Sequence, residues 1–409
     1  MAATDVSATG ASSAGVTQGC LLLTGSCLPI LGAVLLGPVL PQIQNQYASL
    51  PNIEVLVPAT LTVPGLMITL FSPFAGMVMD RFGRKSPLVI AFVAYGIFGT
   101  LPLWLDSLYA ILASRVGLGV AEAVVMTACT TLISDYFFDA ERAKWLALQT
   151  AAAAVAATIF FGVGGALGAL NWKAPFFLYA VGFLLFPLAA FVLWEPRVEQ
   201  DRIPSASADR LPWRLLAVVF PLAVVAGICV LLIPIQAGFL LQSIGVTAPE
   251  VVGIASAVTQ GATLLGALTF RLVMKADVAR IFLAGFALAG IGAISIGTVA
   301  STSGLVVSGS VVGFGAGLLL TSLINWAVAS LPLPVRGRVS GGFTACVFLG
   351  EFLSPLIVFA IRGAGASLPE AVAILGIGLL AVALVAAFAP ALAGTRHHVK
   401  LTEHGIAAD

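Results

Sequence analysis

The sequence predicts an all-α integral membrane protein: twelve transmembrane helices in two six-helix halves, with both termini cytoplasmic. Three observations carry that expectation. Of 409 residues, 60% are hydrophobic, 9% are charged and 43 are glycine, a balance far from that of a soluble domain. Apolar runs near the roughly 20 residues needed to cross a bilayer recur along the whole chain. Every Lys and Arg except Arg115, Lys173 and Arg362 falls in alternate connections between those runs, and one missed helix would reverse that bias in every later loop.

Residues 1–19 are small and polar and contain no Lys or Arg, unlike a secretory leader with a basic start, so the run from Cys20 is expected to be kept as a helix. The first half, 20–194, holds runs at 20–42, 53–75, 87–104, 108–131, 144–168 and 175–194. Arg81, Arg84 and Lys85 separate the second run from the third, and Arg142 and Lys144 the fourth from the fifth. Residues 195–212, EPRVEQDRIPSASADRLP, are rich in charge, Ser and Pro and read as a cytoplasmic linker that holds Arg197, Arg202 and Arg210.

The second half, 213–393, opens near Arg214 and holds runs at 213–240, 249–270, 279–299, 305–328, 339–361 and 368–393. Arg271, Lys275 and Arg280 separate its second run from its third, and Arg336 and Arg338 its fourth from its fifth. A cytoplasmic tail, 394–409, carries Arg396 and Lys400. Pro38, Pro64 and Pro234 interrupt runs without ending them.

Composition also excludes functions. A formal net charge of +1 provides no field for nucleic acid. Cys20, Cys27, Cys129, Cys229 and Cys346 sit inside apolar runs without a CxxC pair, as small core residues do. His397, His398 and His404 lie in the polar tail, and no zinc motif exists. None of the five lysines follows a glycine, so there is no Walker A sequence and no ATP motor in this chain. The expectation is a gradient-driven transporter, not an enzyme, with no metal or cofactor. Its partners would be a small-molecule substrate, protons and the lipid bilayer, and it would work as a monomer in a bacterial cytoplasmic membrane.

One stretch stands out in so weakly charged a chain. GMVMDRFGRK, residues 76–85, packs four charges into six positions. Gly76, Asp80, Arg81, Gly83, Arg84 and Lys85 match the G-x-x-x-D-R-x-G-R-R/K signature, and through it the chain resembles the major facilitator superfamily, whose members carry that signature between helices two and three. Glycines at 76 and 83 permit close approach and a tight turn. Asp80 can cap backbone N–H groups or pair with Arg81 or Arg84. The cluster therefore reads as a conformational latch between the cytoplasmic ends of the halves; the plainer alternative is that its cations only obey the positive-inside rule. A shift of 190 residues sets it on GALTFRLVMK, aligning Gly266, Arg271 and Lys275 with Gly76, Arg81 and Lys85, as an internal duplication predicts.

Arg115, Glu122 and Glu351 are embedded in runs, where ionisable groups are costly and face a cavity or a partner. Arg115 and Glu122 are seven apart, on one helical face roughly 10 Å along the axis, and are expected to face the central cavity. RVGLGVAEA, Arg115 to Ala123, resembles the fourth-span motif of the superfamily, which implies a part in proton coupling or substrate charge. It is also similar to the G-x-G-E-A pattern of spinster-like and organic-anion transporters, departing from it at Ala121. An internal ion pair bracing helices is the other reading. Glu351 lies roughly 18 Å along its span from Val339, a desolvated setting that suits a proton carrier and equally a carboxyl bonded to a neighbouring helix. Gln236, Gln260 and Asn325 could orient a substrate or join helices.

FFGVGGALG, Phe160 to Gly168, keeps Gly164 and Gly165 of the G-P-x-x-G-G signature of the superfamily's antiporters, with Phe160 and Phe161 where Gly and Pro would stand. The leading expectation is proton-coupled export of small amphipathic or hydrophobic compounds by alternating access. The alternatives are a proton symporter importing an organic anion through Arg115 and, remotely, a receptor or scaffold.

Overall fold

The computed structural model describes residues 14–196, 212–331 and 333–394. Among them twelve helices are long and apolar enough to cross a membrane. The first six are α1 (Val16–Gln46), α2 (Ile53–Phe82), α3 (Lys85–Leu103), α4 (Leu108–Tyr136), α5 (Asp139–Leu170) and α6 (Ala174–Val192). The second six are α7 (Trp213–Ser243), α8 (Pro249–Val273), α9 (Val278–Ile296), α10 (Thr302–Ala329), α11 (Val335–Gly363) and α12 (Leu368–Ala386). No strand occurs among the described residues. Most of the linker, with Arg197, Arg202 and Arg210, and the C-terminal tail, with His397, His398 and His404, lie outside them.

The helices differ from the predicted runs where local chemistry intervenes. The first run is not one rod: α1 is built of Val16–Ser26, Leu28–Val34, a 3-10 turn at Gly37–Val39, and Leu40–Gln46. Pro29, Pro38 and Pro41 each lack a donor and stand in the first turn of a piece, where that loss is tolerated. α2 continues to Phe82, because buried Ala75 and Met79 extend its packed face, so most of the charged motif is helix and not loop. α5 starts at Asp139, with Asp139 and Glu141 in its first turn, where the helix dipole favours negative charge. The last run ends at Ala386, followed by a short helix at Ala389–Leu392.

The helices pack around two apolar cores. One is centred on residues such as Leu22, Leu35, Phe92, Leu118 and Leu132 of α1, α3 and α4; the other on Leu232, Phe282, Phe286, Leu323 and Val372 of α7, α9, α10 and α12. In lipid an apolar side chain gains little by leaving hydrocarbon, so helices associate by close contact at small residues. Gly350 of α11 lies against the Val224 carbonyl of α7, and Gly227 of α7 against the Val347 carbonyl of α11, so a methyl group at either would collide with backbone. Across the two cores α5 meets α8, where a Cβ on Gly165 would stand 2.8 Å from the Gly253 Cα.

Gly350→Val should destabilise the fold by about 1–3 kcal/mol through overpacking, read as a lower unfolding temperature in detergent. Gly378→Ala, at a position with open space around it, should leave that temperature level or raise it. Equal responses from the two variants would contradict the close crossing.

Candidate functional site

A chamber of about 880 Å³ lies between α2, α4 and α11, with Leu146 of α5 at one side. Ile68, Met126 and Phe348 give it apolar walls, and hydroxyls line it from Thr69 and Ser72 on α2, Thr127, Thr130 and Thr131 on α4, and Ser340 and Thr344 on α11. Its rim holds exposed Gly337 and Arg338. That rim belongs to the end of the bundle where the turns after α2, α4, α8 and α10 gather the basic residues. The spacing that places Thr127, Thr130 and Thr131 together, i, i+3 and i+4, was legible in the sequence.

Beyond the chamber α2 and α11 close on each other. The Thr69 hydroxyl donates to the Ala345 carbonyl at 3.2 Å. One turn further Gly65 leaves room for Phe348 and Glu351: from its Cβ position Phe348 Cδ1 is 3.2 Å away and Glu351 Oε2 3.9 Å away. At the opposite end of the bundle the Arg362 guanidinium donates to the Glu54 carboxylate at 2.6 Å, joining α11 to α2. A smaller polar pocket of about 400 Å³, lined by Gln44, Gln236, Gln242 and Ser243, surrounds that ion pair. Close approaches of Gly37 to the Pro234 carbonyl and of Gly238 to Pro41 bring α1 against α7. The bundle is therefore open at its basic end and closed at the other.

Glu351 is the one predicted ionisable residue at this junction of α2 and α11, one turn beyond Phe348 of the chamber wall. Arg115 and Glu122 are not in the chamber, which corrects the expectation that they face it. Arg115 is fully buried: Nη2 donates to the Phe98 and Gly99 carbonyls of α3, both at 3.1 Å, and the guanidinium lies 5.2 Å from the Phe176 ring and 4.9 Å from the Tyr179 ring of α6. Such aromatic faces attract a desolvated cation. Glu122, also fully buried, abuts Gly32 in the broken part of α1, beside Tyr95, whose hydroxyl donates to the Leu28 carbonyl at 3.1 Å. Gln236 lines the closed-end pocket, Gln260 is half-buried on α8, and Asn325 is exposed, bonded to Thr321 O of its own helix at 2.7 Å. None of these three is in the chamber's lining.

The charged motif is also rearranged relative to expectation. Asp80 and Arg81 are exposed on α2, and Arg81 lies over the Phe82 ring at 5.4 Å. Gly83 turns with φ of 81°, a conformation that favours glycine, whereas Gly76 has open space around it and serves no close approach. Arg84 pairs with Asp135 of α4 at 2.9 Å. Capping is done by Glu195, which accepts from the Arg84 N–H at 2.6 Å and the Lys85 N–H at 2.9 Å, a carboxylate at a helix N-terminus. These contacts tie α2, α3, α4 and the end of α6 together; none reaches α7 to α12. Sequence reasoning missed Asp135, Glu195 and Glu54, and only the acids' positions at run ends hinted at them. In the related stretch of α8, Gly266 packs on the Phe314 carbonyl while Arg271 and Lys275 are exposed. Of the antiporter-like stretch, Gly164 meets the Leu35 carbonyl of α1 and Gly165 the Pro249 carbonyl of α8.

Solved structures share this architecture. A bacterial homologue of the human lysosomal transporter Spinster, in an inward-facing and occupied conformation, superposes with a TM-score of 0.73 over 92% of this chain and 95% of its own, at 17% identity. A D-xylose–proton symporter gives 0.73 over 94% and 98%, at 15% identity. Among curated proteins, Multidrug resistance protein 1 of Bacillus subtilis is 30% identical over 43% of this chain. The class B tetracycline resistance protein of Escherichia coli is 25% identical over 44%. Each match spans only 45% of the relative's own length. The sequence model of the Major Facilitator Superfamily matches residues 22–355, and with twelve apolar helices around a chamber open at one end, this multi-pass membrane chain belongs to that superfamily of small-molecule transporters.

Proposed function

We propose that the protein is a proton-coupled exporter of small amphipathic or hydrophobic compounds that works by alternating access between two six-helix halves, 20–194 and 213–393, joined by 195–212. The single observation that carries the reading is the chamber: 880 Å³, walled by both halves, open at one end and closed at the other. Positive-inside bias supports a cytoplasmic location for the open, basic end, bacterial relatives favour a bacterial cytoplasmic membrane, and the chain acts as a monomer. The apolar walls suit amphipathic cargo, and the matched relatives include multidrug and tetracycline resistance proteins. Import of an organic anion through Arg115 is disfavoured, because the guanidinium is fully buried outside the chamber's lining, bonded through Nη2 to α3 carbonyls and lying over α6 rings.

Glu351 stands where the two halves touch beyond the chamber, so a proton exchanged there can be tied to their separation. In proteoliposomes, Glu351→Gln should abolish transport driven by a pH gradient and keep substrate binding. Undiminished proton-driven transport in Glu351→Gln, with loss in Glu122→Gln, would transfer the role to α4.

Two charged sites should bias switching in opposite directions. The Glu54–Arg362 pair holds the outer end closed, whereas Asp80, exposed in this state, is available to join the halves at the cytoplasmic end when the chamber closes there. A half-exposed ion pair contributes about 0.2–1 kcal/mol, so Glu54→Gln should raise the outward-open fraction about 1.4-fold to fivefold, and Asp80→Asn should lower it. Distances between spin labels at the basic ends of α4 and α10 read both shifts; a common direction for the two variants would refute the arrangement.

A further inference from the structure

Six of the seven hydroxyls that line the chamber, all but that of Ser340, share a property that bears on the cargo. Each has one proton and oxygen lone pairs, and a carbonyl oxygen can only accept, so a hydroxyl bonded to a carbonyl has its proton committed. Ser72 donates to Ile68 O at 2.6 Å, Thr127 to Ala123 O at 2.7 Å, Thr131 to Thr127 O at 2.8 Å, and Thr130 and Thr344 to Met126 O and Ser340 O at 3.0 Å. Thr69 shares its proton between Gly65 O and Ala345 O, both at 3.2 Å. Helical hydroxyls bond back to the preceding turn in this way, and what they leave available to the chamber is lone pairs. Thr130 has one of its own already used by Gln149 Nε2 at 3.1 Å. Among the described residues no carboxylate lines the chamber, and its cation, Arg338, stands at the exposed rim.

We infer that the chamber selects hydrogen-bond donors: its substrates are small, uncharged or amine-bearing amphiphiles that present N–H or O–H groups to the α4 threonines and an apolar face to Phe348 and Met126. A carboxylate would meet a wall of oxygen lone pairs, and a purely apolar ligand would leave the oxygens dry and unpaired, which costs binding. This inference rests on the transport reading above and adds the polarity of the cargo to it.

The test is equilibrium binding of two neutral fluorophores to the purified full chain in nanodiscs: 7-amino-4-methylcoumarin, with two N–H donors, and 7-dimethylamino-4-methylcoumarin, with none. The amine should bind about threefold to tenfold more tightly, the worth of one hydrogen bond. Thr127→Val with Thr131→Val should erase that preference while the dimethylamino dye binds as tightly as before or tighter, since the unpaired oxygens are gone, which also shows that the variant is folded. Thr127→Ser with Thr131→Ser should restore it. Equal binding of the two dyes, tighter binding of the dimethylamino dye, or a preference that survives the valine pair overturns the inference and leaves the transport reading standing. Binding of neither dye overturns the amphiphile reading, and this inference with it.

Discussion

Hydrocarbon offers a backbone N–H or C=O no water to bond, and each unpaired group costs several kcal/mol. The rest of the structure follows from that constraint. It makes every crossing a helix, and it limits departures from helix to places where protein surrounds them. The broken α1 is such a place: Leu35, Leu36 and Val39 around its 3-10 turn are fully buried, enclosed by α5 and α7 rather than lipid. The same solvent removes the usual reason for apolar side chains to gather, so helix contacts fall to glycine. Gly350 on Val224 and Gly165 on Gly253 are contacts of backbone with backbone, and they set how close the helices come.

Charge then decides which contacts are fixed and which can change. Arg84 with Asp135, and Glu195 on the α3 N-terminus, brace the basic end of the first half internally. They leave Asp80 exposed. At the far end, among the described residues, the ion pair that joins the first half to the second is Glu54 with Arg362, a half-exposed contact whose making and breaking costs little.

The buried Arg115 belongs to the braced part. Its guanidinium is held by two α3 carbonyls and two α6 rings, and Glu122 lies on the same helix against α1. This polar spine runs through the packing of α1, α3, α4 and α6. It gives the first half a fixed internal arrangement.

By itself the sequence determined the class and the count of spans, because apolar length and the side chosen by Lys and Arg are properties of segments and need no knowledge of neighbours, and residues 76–85 carried the resemblance to the superfamily. It also made Gly83 readable as a turn, since positive φ is a local demand. What it left open was which face of a helix meets which other helix. Arg115 and Glu122 share a face, and the sequence could place that face toward a cavity or a partner with equal economy; only packing showed α3, α6 and α1 there. Asp135 and Glu195 looked like ordinary charges at run ends until the fold set them 2.9 Å from Arg84 and against the α3 N–H groups. The chamber itself is a space between segments far apart in the chain, Ile68 to Pro73, Met126 to Thr131 and Gly337 to Phe348. The tertiary structure decided it, because a void between helices has no residue of its own to announce it.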